Sequence, residues 1–263
     1  MTYCLAIKVD AGLVFCSDSR TNAGMDNVST YSKMHTCVWQ GARCFTLLSA
    51  GNLATTQAVV KKLNTDTRDG LTPNLLTVSN IREAADYVGL ISAHVQQQQA
   101  MRDAAAAASF EATFIFGGQI GQAPPEIFMI YPQGNYIHES NEHPFLQIGE
   151  TKYGKPILDR VIHHDTGLER AARCALVSMN STMRSNLTVG APVELMLYER
   201  DSLNEGRKLK LTEDDPFLRE LSEKWNNGLL LALGSLPGFP WEQREPPSEG
   251  EGQVFPFRSP PPN

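Results

Sequence analysis

Met1 is followed by Thr2, and Thr2 opens an apolar, strand-like run, Thr2-Tyr3-Cys4-Leu5-Ala6-Ile7-Lys8-Val9. Removal of Met1 would give one residue both a hydroxyl and a free α-amine. An unperturbed α-amine has a pKa of roughly 7.7–8.0, so near neutral pH part of it is free to accept a proton. Such an amine can act as the general base for the hydroxyl of its own residue, a recognised way of activating threonine. Many chains begin Met-Thr without using it, so the chemistry needs further residues.

Those residues lie on the next strand and just beyond it. After a turn at Asp10-Ala11-Gly12 the chain runs Leu13-Val14-Phe15-Cys16-Ser17-Asp18-Ser19-Arg20. Period-two alternation places Val14, Cys16, Asp18 and Arg20 on one face and Leu13, Phe15 and Ser17 on the other. An acid and a base closing an apolar face are partly desolvated and need partners. Lys33 follows a polar stretch and precedes the next apolar run. Two readings stay open: Lys33 pairs with Asp18 and holds the threonine hydroxyl, or Asp18 belongs to a structural Asp–Lys or Asp–Arg pair at a sheet edge.

Thr2, Asp18-Ser19-Arg20, Lys33 and Ser49-Ala50-Gly51 stand in the order and spacing of the proteasome β-subunit superfamily of N-terminal nucleophile hydrolases, which the chain resembles. It is more closely similar to the bacterial proteasome-related group called Anbu. That resemblance rests on Ser17-Asp18-Ser19-Arg20-Thr21-Asn22-Ala23-Gly24, Phe116-Gly117-Gly118-Gln119-Ile120 and Tyr131-Pro132-Gln133-Gly134-Asn135. It continues through Gln147-Ile148-Gly149-Glu150-Thr151-Lys152-Tyr153-Gly154 to Arg160, and in Ser181-Thr182-Met183-Arg184-Ser185-Asn186-Leu187. It covers residues 2–235.

The resemblance implies that Thr2 Oγ is the nucleophile, that Lys33 is the catalytic lysine, and that Asp18 orients it. Gly51 matches the glycine whose N–H stabilises the oxyanion, and Arg20 lies beside them as a structural residue. Ser49 and Leu53 match positions that shape the specificity pocket. Two departures from the proteasome pattern stand out. Gly149-Glu150-Thr151 replaces a Gly-Ser-Gly whose serine supports the amine. Glu150 then accepts from the ammonium and raises its pKa, or Glu150 points away and Thr151 substitutes. At the later Asp–Ser pair the match is Asn186 through Val189, with Asn180-Ser181 as the competing alignment.

The elements that must position these residues can be read from the pattern. Strands are expected at 2–9, 12–20, 33–39 and 43–50, then at 112–116, 127–131, 136–138 and 193–198, with Gly117-Gly118 as a turn. Helices are expected over Leu53, Val60 and Leu63, and over Ile81, Ala84, Val88, Ile91 and Val95. The glutamines 96–99 and the alanines 104–108 extend the second as a solvent-facing tract. Two more helices follow, at 156–160 and 167–183. A last one, capped at Thr212, carries the stripe Leu218, Leu221, Trp225, Leu229 and Leu233. Strands, two helices, strands, two helices, strands and a helix suit a layered α+β fold, and the resemblance sharpens this to a four-layer αββα sandwich.

The chain has 263 residues and net charge −6, which argues against nucleic acid or an anionic membrane as partner. No apolar run reaches the roughly 20 residues of a membrane helix, and no signal segment precedes Thr2. Cys4, Cys16, Cys37, Cys44 and Cys174 are odd in number and lack a Cys-x-x-Cys pair, which suits free thiols in a reducing cytoplasm. His163-His164-Asp165 has no further histidine to complete a metal site, so no metal or cofactor is expected. A hydrolase domain over 1–236 is expected to precede a disordered tail over 237–263, which holds eight of the sixteen prolines.

The function expected is an oligomeric threonine hydrolase acting on peptide or related amide bonds. A silent assembly protein and an amide transferase or ligase are the alternatives. The resemblance implies a homo-oligomer, either a ring or an open helical stack, with the patch Lys152, Tyr153, Lys155 and Arg160 as an assembly contact. An ATP-dependent unfoldase partner follows by analogy alone.

Overall fold

The computed structural model describes residues 1–22, 28–101 and 110–242. Ala23 and Gly24, the alanines 104–108 and the tail beyond 242 lie outside the described residues. The chain divides into two units, Met1–Glu223 and Lys224–Asn263.

In chain order the elements are β1 (Tyr3–Val9), β2 (Gly12–Asp18), a small hairpin of β3 (Arg20–Asn22) and β4 (Val28–Thr30), β5 (Met34–Trp39) and β6 (Arg43–Gly51). The helices α1 (Leu53–Arg68) and α2 (Ile81–Ala100) follow, then β7 (Ala112–Ile120), β8 (Glu126–Ile130), β9 (Tyr136–His138) and β10 (Phe145–Gly149). After α3 (Lys155–Val161) and α4 (Leu168–Ser185) come β11 (Val193–Glu199), β12 (Arg207–Leu211) and α5 (Pro216–Gly234).

One sheet has the order β10-β1-β2-β11-β12 and the other β5-β6-β7-β8-β9. Cys4, Ala6, Leu13 and Phe15 from the first sheet pack with Leu48, Ile115 and Ile127 from the second. The opposite face of the first sheet, with Leu5, Ile7, Val14 and Cys16, packs under α3 and α4 through Leu158, Ala171, Ala175 and Met179. The opposite face of the second, with Phe114, Phe116 and Phe128, packs under α1 and α2 through Val59, Leu63, Ala84 and Val88. Helices, sheet, sheet, helices: the layers are those of the αββα sandwich.

Local chemistry fixes the helix starts. Asn52 Oδ1 accepts from Thr55 N at 3.0 Å and Asn80 Oδ1 from Arg82 N and Glu83 N at 3.0 Å, taking up N–H groups the first turn leaves unpaired. In α5 the cap is the Asp215 carboxylate, on Phe217 N at 2.9 Å, rather than the Thr212 hydroxyl.

Several elements differ from their sequence reading. Strand β2 stops at Asp18, and Arg20 begins a separate hairpin. Gly117 and Gly118 are inside β7, not at a turn. The glutamine tract is not wholly solvent-facing, because buried Gln96 donates to Ser92 Oγ at 2.9 Å and accepts from Ala112 N at 3.0 Å. All five cysteines are free. Among the described residues no helix is long and apolar enough to cross a membrane.

Candidate active site

Asp18 closes β2 and is fully buried. Its Oδ1 accepts from Lys33 Nζ at 2.7 Å and from Tyr3 N at 3.0 Å, and its Oδ2 from Gly190 N at 3.3 Å. Lys33, 6 % exposed, also donates to the Arg20 carbonyl at 2.7 Å. Two main-chain bonds place it there: Tyr31 N to Ser19 O at 3.0 Å and Ser49 N to Lys33 O at 3.0 Å. The pair is therefore Asp18–Lys33 in the interior, not Asp18–Arg20 at an edge. Burial pushes the Asp18 carboxyl above its ordinary value, against the opposing pull of Lys33 and of the Tyr3 and Gly190 N–H groups. Arg20 turns elsewhere. Its guanidinium donates to Leu187 O at 2.9 Å and lies against Gly190, where a Cβ would fall 2.3 Å from Cζ.

Thr2, Arg20, Lys33, Ser49, Gly51 and Leu53 line a single cleft of about 310 Å³, together with Met1, Thr21, Ser32, Ala50, Thr56 and Gly149. Residues just before β1 and from β3, β6, α1 and β10 thus meet in one cleft. Ser49 is buried, and its carbonyl accepts the Cys4 thiol at 3.6 Å. That contact places Cys4 in the inter-sheet core beneath the cleft.

Two glycines make the approach close. Gly51 ends β6 at φ +115°, and a Cβ there would lie 2.3 Å from Glu111 O. Gly149 ends β10 at φ +83°, and a Cβ there would lie 1.9 Å from Thr2 O. Both positions favour glycine by conformation and by space. Beyond Gly149, Glu150 N donates to Thr2 O at 2.8 Å, tying the nucleophile candidate to the end of β10.

The Glu150 side chain is buried, and its Oε2 accepts from Asn186 Nδ2 at 2.9 Å. Asn186, at the end of α4, is fixed in turn by Thr188, whose N and Oγ1 donate to Oδ1 at 3.0 and 2.6 Å. Of the two alignments left open by the sequence, the structure brings Asn186 to Glu150; Asn180 and Ser181 stay within α4. Thr151 lies in the turn into α3, its carbonyl accepting from Lys155 N at 3.1 Å, and it does not line the cleft.

The amine of Met1 is pushed below its ordinary value, first by burial and then by Lys33, while Asp18 and Glu150 pull it upward.

Sequence reasoning missed Gly190, whose N–H reaches Asp18 from the loop before β11, and the cleft-lining Thr21, Ser32 and Thr56. Neither a lone glycine nor scattered hydroxyls carry a signal by spacing. Among the described residues no cluster of three or more His, Cys, Asp or Glu side chains is placed to hold a metal ion.

No family model and no curated protein matches the chain. Solved structures do. The chain is similar to Anbu (ancestral β-subunit) from Yersinia bercovieri, with 42% identity and a TM-score of 0.85 over 90% of this chain and 99% of that one. It is equally similar to the helical assembly of the Anbu complex from Pseudomonas aeruginosa, with 43% identity and a TM-score of 0.85 over 92% and 100%. A Gly-1 mutant of Anbu from Hyphomicrobium sp. strain MC1 matches with 43% identity and a TM-score of 0.84 over 91% and 99%.

Proposed function

The chain belongs to the Anbu (ancestral β-subunit) family, and from that premise we propose that it is an N-terminal threonine hydrolase of peptide or related amide bonds. After loss of Met1, the Thr2 amine takes the proton of Oγ, and Oγ adds to the substrate carbonyl. Lys33, ion-paired with Asp18 at 2.7 Å, favours the ionised hydroxyl. The Gly51 N–H stabilises the developing oxyanion; a donor of this kind is typically worth about 3–4 kcal/mol. The amine then returns its proton to the leaving amine, and water resolves the ester-linked acyl-enzyme, releasing the acid and regenerating Oγ–H.

The observation that carries this reading is the meeting of Thr2, Lys33 and Gly51 in one cleft, with Lys33 fixed from behind by fully buried Asp18. The Pseudomonas aeruginosa relative forms a helical assembly, and we extend homo-oligomerisation to this chain, with the cytoplasm as its location. Contacts of one copy with the next that fail to close into a ring generate such helices.

An intact mass before and after exposure to a peptide epoxyketone tests the reading. That reagent closes a morpholine ring only with a hydroxyl and a free α-amine on one residue. We expect loss of Met1 and one adduct per chain, prevented by Thr2→Ala without a change in oligomer. Retained Met1, or an adduct undiminished in Thr2→Ala, rejects the threonine nucleophile and leaves a silent assembly protein.

A further inference from the structure

Two clefts meet at Ser32. It lines the cleft that holds Thr2 and Lys33, and it also lines a second one of about 370 Å³ between β5 and β12, the edge strands of the two sheets. Glu194 of β11 lines only the second. The steps above give it no part, yet its side chain is only 15% exposed and its Oε2 accepts from Ser32 Oγ at 2.6 Å. An O–H···O⁻ bond of that length is charge-assisted and about twice as strong as a neutral one. Oε1 has the Lys210 ammonium 3.6 Å away, so the carboxylate keeps a cation beside it.

Ser32 stands immediately before Lys33, in the stretch 31–33 that links β4 to β5 and belongs to neither. The main chain on either side is tied down, Tyr31 N to Ser19 O and Ser49 N to Lys33 O, both at 3.0 Å. Between these ties Ser32 is exposed, so packing does not hold it. Its hydroxyl does. Oγ donates to Glu194 and accepts from Met34 N at 3.3 Å, joining β11 to the first residue of β5 with Lys33 between them. Strand β11 is also the partner of β2, with Val193 opposite Asp18 and Glu194 opposite Ser17. The strand that runs beside Asp18 therefore also fixes the residue before Lys33. We infer that Glu194 is a positioning residue for Lys33: through Ser32 it sets the stretch from which the Lys33 ammonium reaches Asp18 and the cleft. Glu194 does not line the Thr2 cleft, so it acts on the lysine and not on the substrate. The inference rests on the proposed threonine nucleophile.

The test follows epoxyketone adduct formation on the full chain lacking Met1 at increasing reagent concentration, which separates the maximal rate from the concentration that half-saturates it. Misplacing a catalytic group by about 1 Å costs on the order of a hundredfold. With Tyr31 and Lys33 still tied, Glu194→Ala should lower the maximal rate by about tenfold and leave half-saturation near its wild-type value. Glu194→Gln keeps an acceptor oxygen at the same reach and should recover most of the loss. Ser32→Ala should be as slow as Glu194→Ala, and the double variant no slower than either, because both substitutions remove the same bond. A wild-type maximal rate in folded Glu194→Ala, no recovery in Glu194→Gln, or losses that multiply in the double variant overturns the inference and leaves the nucleophile in place. Should Glu194→Ala not fold, an unchanged maximal rate in Ser32→Ala does the same. Absence of any adduct in the wild-type chain rejects the threonine reading, and this inference falls with it.

Discussion

Asp18 is fully buried and also holds two main-chain N–H groups besides Lys33, so the loss of Lys33 changes how it titrates. Burial already pushes the Asp18 carboxyl upward, and Lys33 is the strongest influence against that. In Lys33→Met the carboxyl can bind a proton and keep its bonds from Tyr3 N and Gly190 N. The folded pKa is then raised above the ordinary 3.8, so between the two values the native state holds a proton that the unfolded chain has released. Stability is fully present below the unfolded value and is lost as pH rises, at up to about 1.4 kcal/mol per pH unit. Urea unfolding of Lys33→Met should accordingly show lower stability at pH 8 than at pH 5; a loss independent of pH would mean that another cation has replaced Lys33. Asp18→Asn removes the carboxylate from the ion pair altogether. Its amide must turn N–H groups either toward Gly190 N–H or toward Tyr3 N–H and the Lys33 ammonium. Leaving a buried charge unpaired in this way costs about 3–5 kcal/mol. A loss below about 1 kcal/mol, the range of solvated surface pairs, would contradict the burial seen here.

At the scale of elements, the end of β10 is what holds Thr2. Tyr3 stands opposite Gly149 in the β1–β10 register, and the Thr2 carbonyl accepts from Glu150 N. Gly149→Ala must either move that carbonyl or release the strand end, since a Cβ has only 1.9 Å to Thr2 O. Strain of this kind costs about 1–3 kcal/mol. We expect a stability loss in that range, together with loss of the epoxyketone adduct. Adduct formation at the wild-type rate would show that β10 does not position Thr2. This strand was also the element least legible from the sequence. Five residues that follow Pro144 and end in Gly149, with Phe145, Leu146 and Ile148 all buried, show too little alternation to be told from a loop. Strands β1 and β2 were legible because they are longer and Asp18 marks where the apolar face ends. Gly117 misled for a different reason. It is glycine because the sheets meet there, a Cβ falling 2.7 Å from Ile127 Cγ2 and 3.1 Å from Phe15 Cζ. In the candidate site, residue type and order were enough to bring out Thr2, Asp18 and Lys33. The donation from Gly190 and the choice of Asn186 over Asn180 depend on where α4 ends and how the following loop returns, and no local pattern encodes that.

At the scale of the whole molecule, the second unit, Lys224–Asn263, carries a run of exposed large apolar side chains. The sequence reads a stripe from Leu218 to Leu233, which the boundary between the two units divides: in the first unit Leu218 is buried and Leu221 packs against the core beneath α3 and α4. Leu230, Leu231 and Leu233 are 68%, 77% and 66% exposed, and Leu236, Phe239 and Trp241 continue the exposed run. Exposed large apolar side chains grouped in one segment mark an interaction site. Assembly of copies of the chain would let these side chains leave water. The double substitution Leu230→Glu with Leu233→Glu places two charges among these side chains and changes no residue that lines the cleft. Light scattering after size separation should show a particle mass reduced to half or less, with folding unchanged by circular dichroism. An unchanged mass would remove this part of α5 from the interface. Epoxyketone labelling of the smaller species then separates two architectures. Labelling retained per chain would mean that one subunit holds a complete site. Labelling lost along with assembly would mean that a neighbouring copy completes the wall of the cleft, so that hydrolysis is a property of the assembly and not of the single chain.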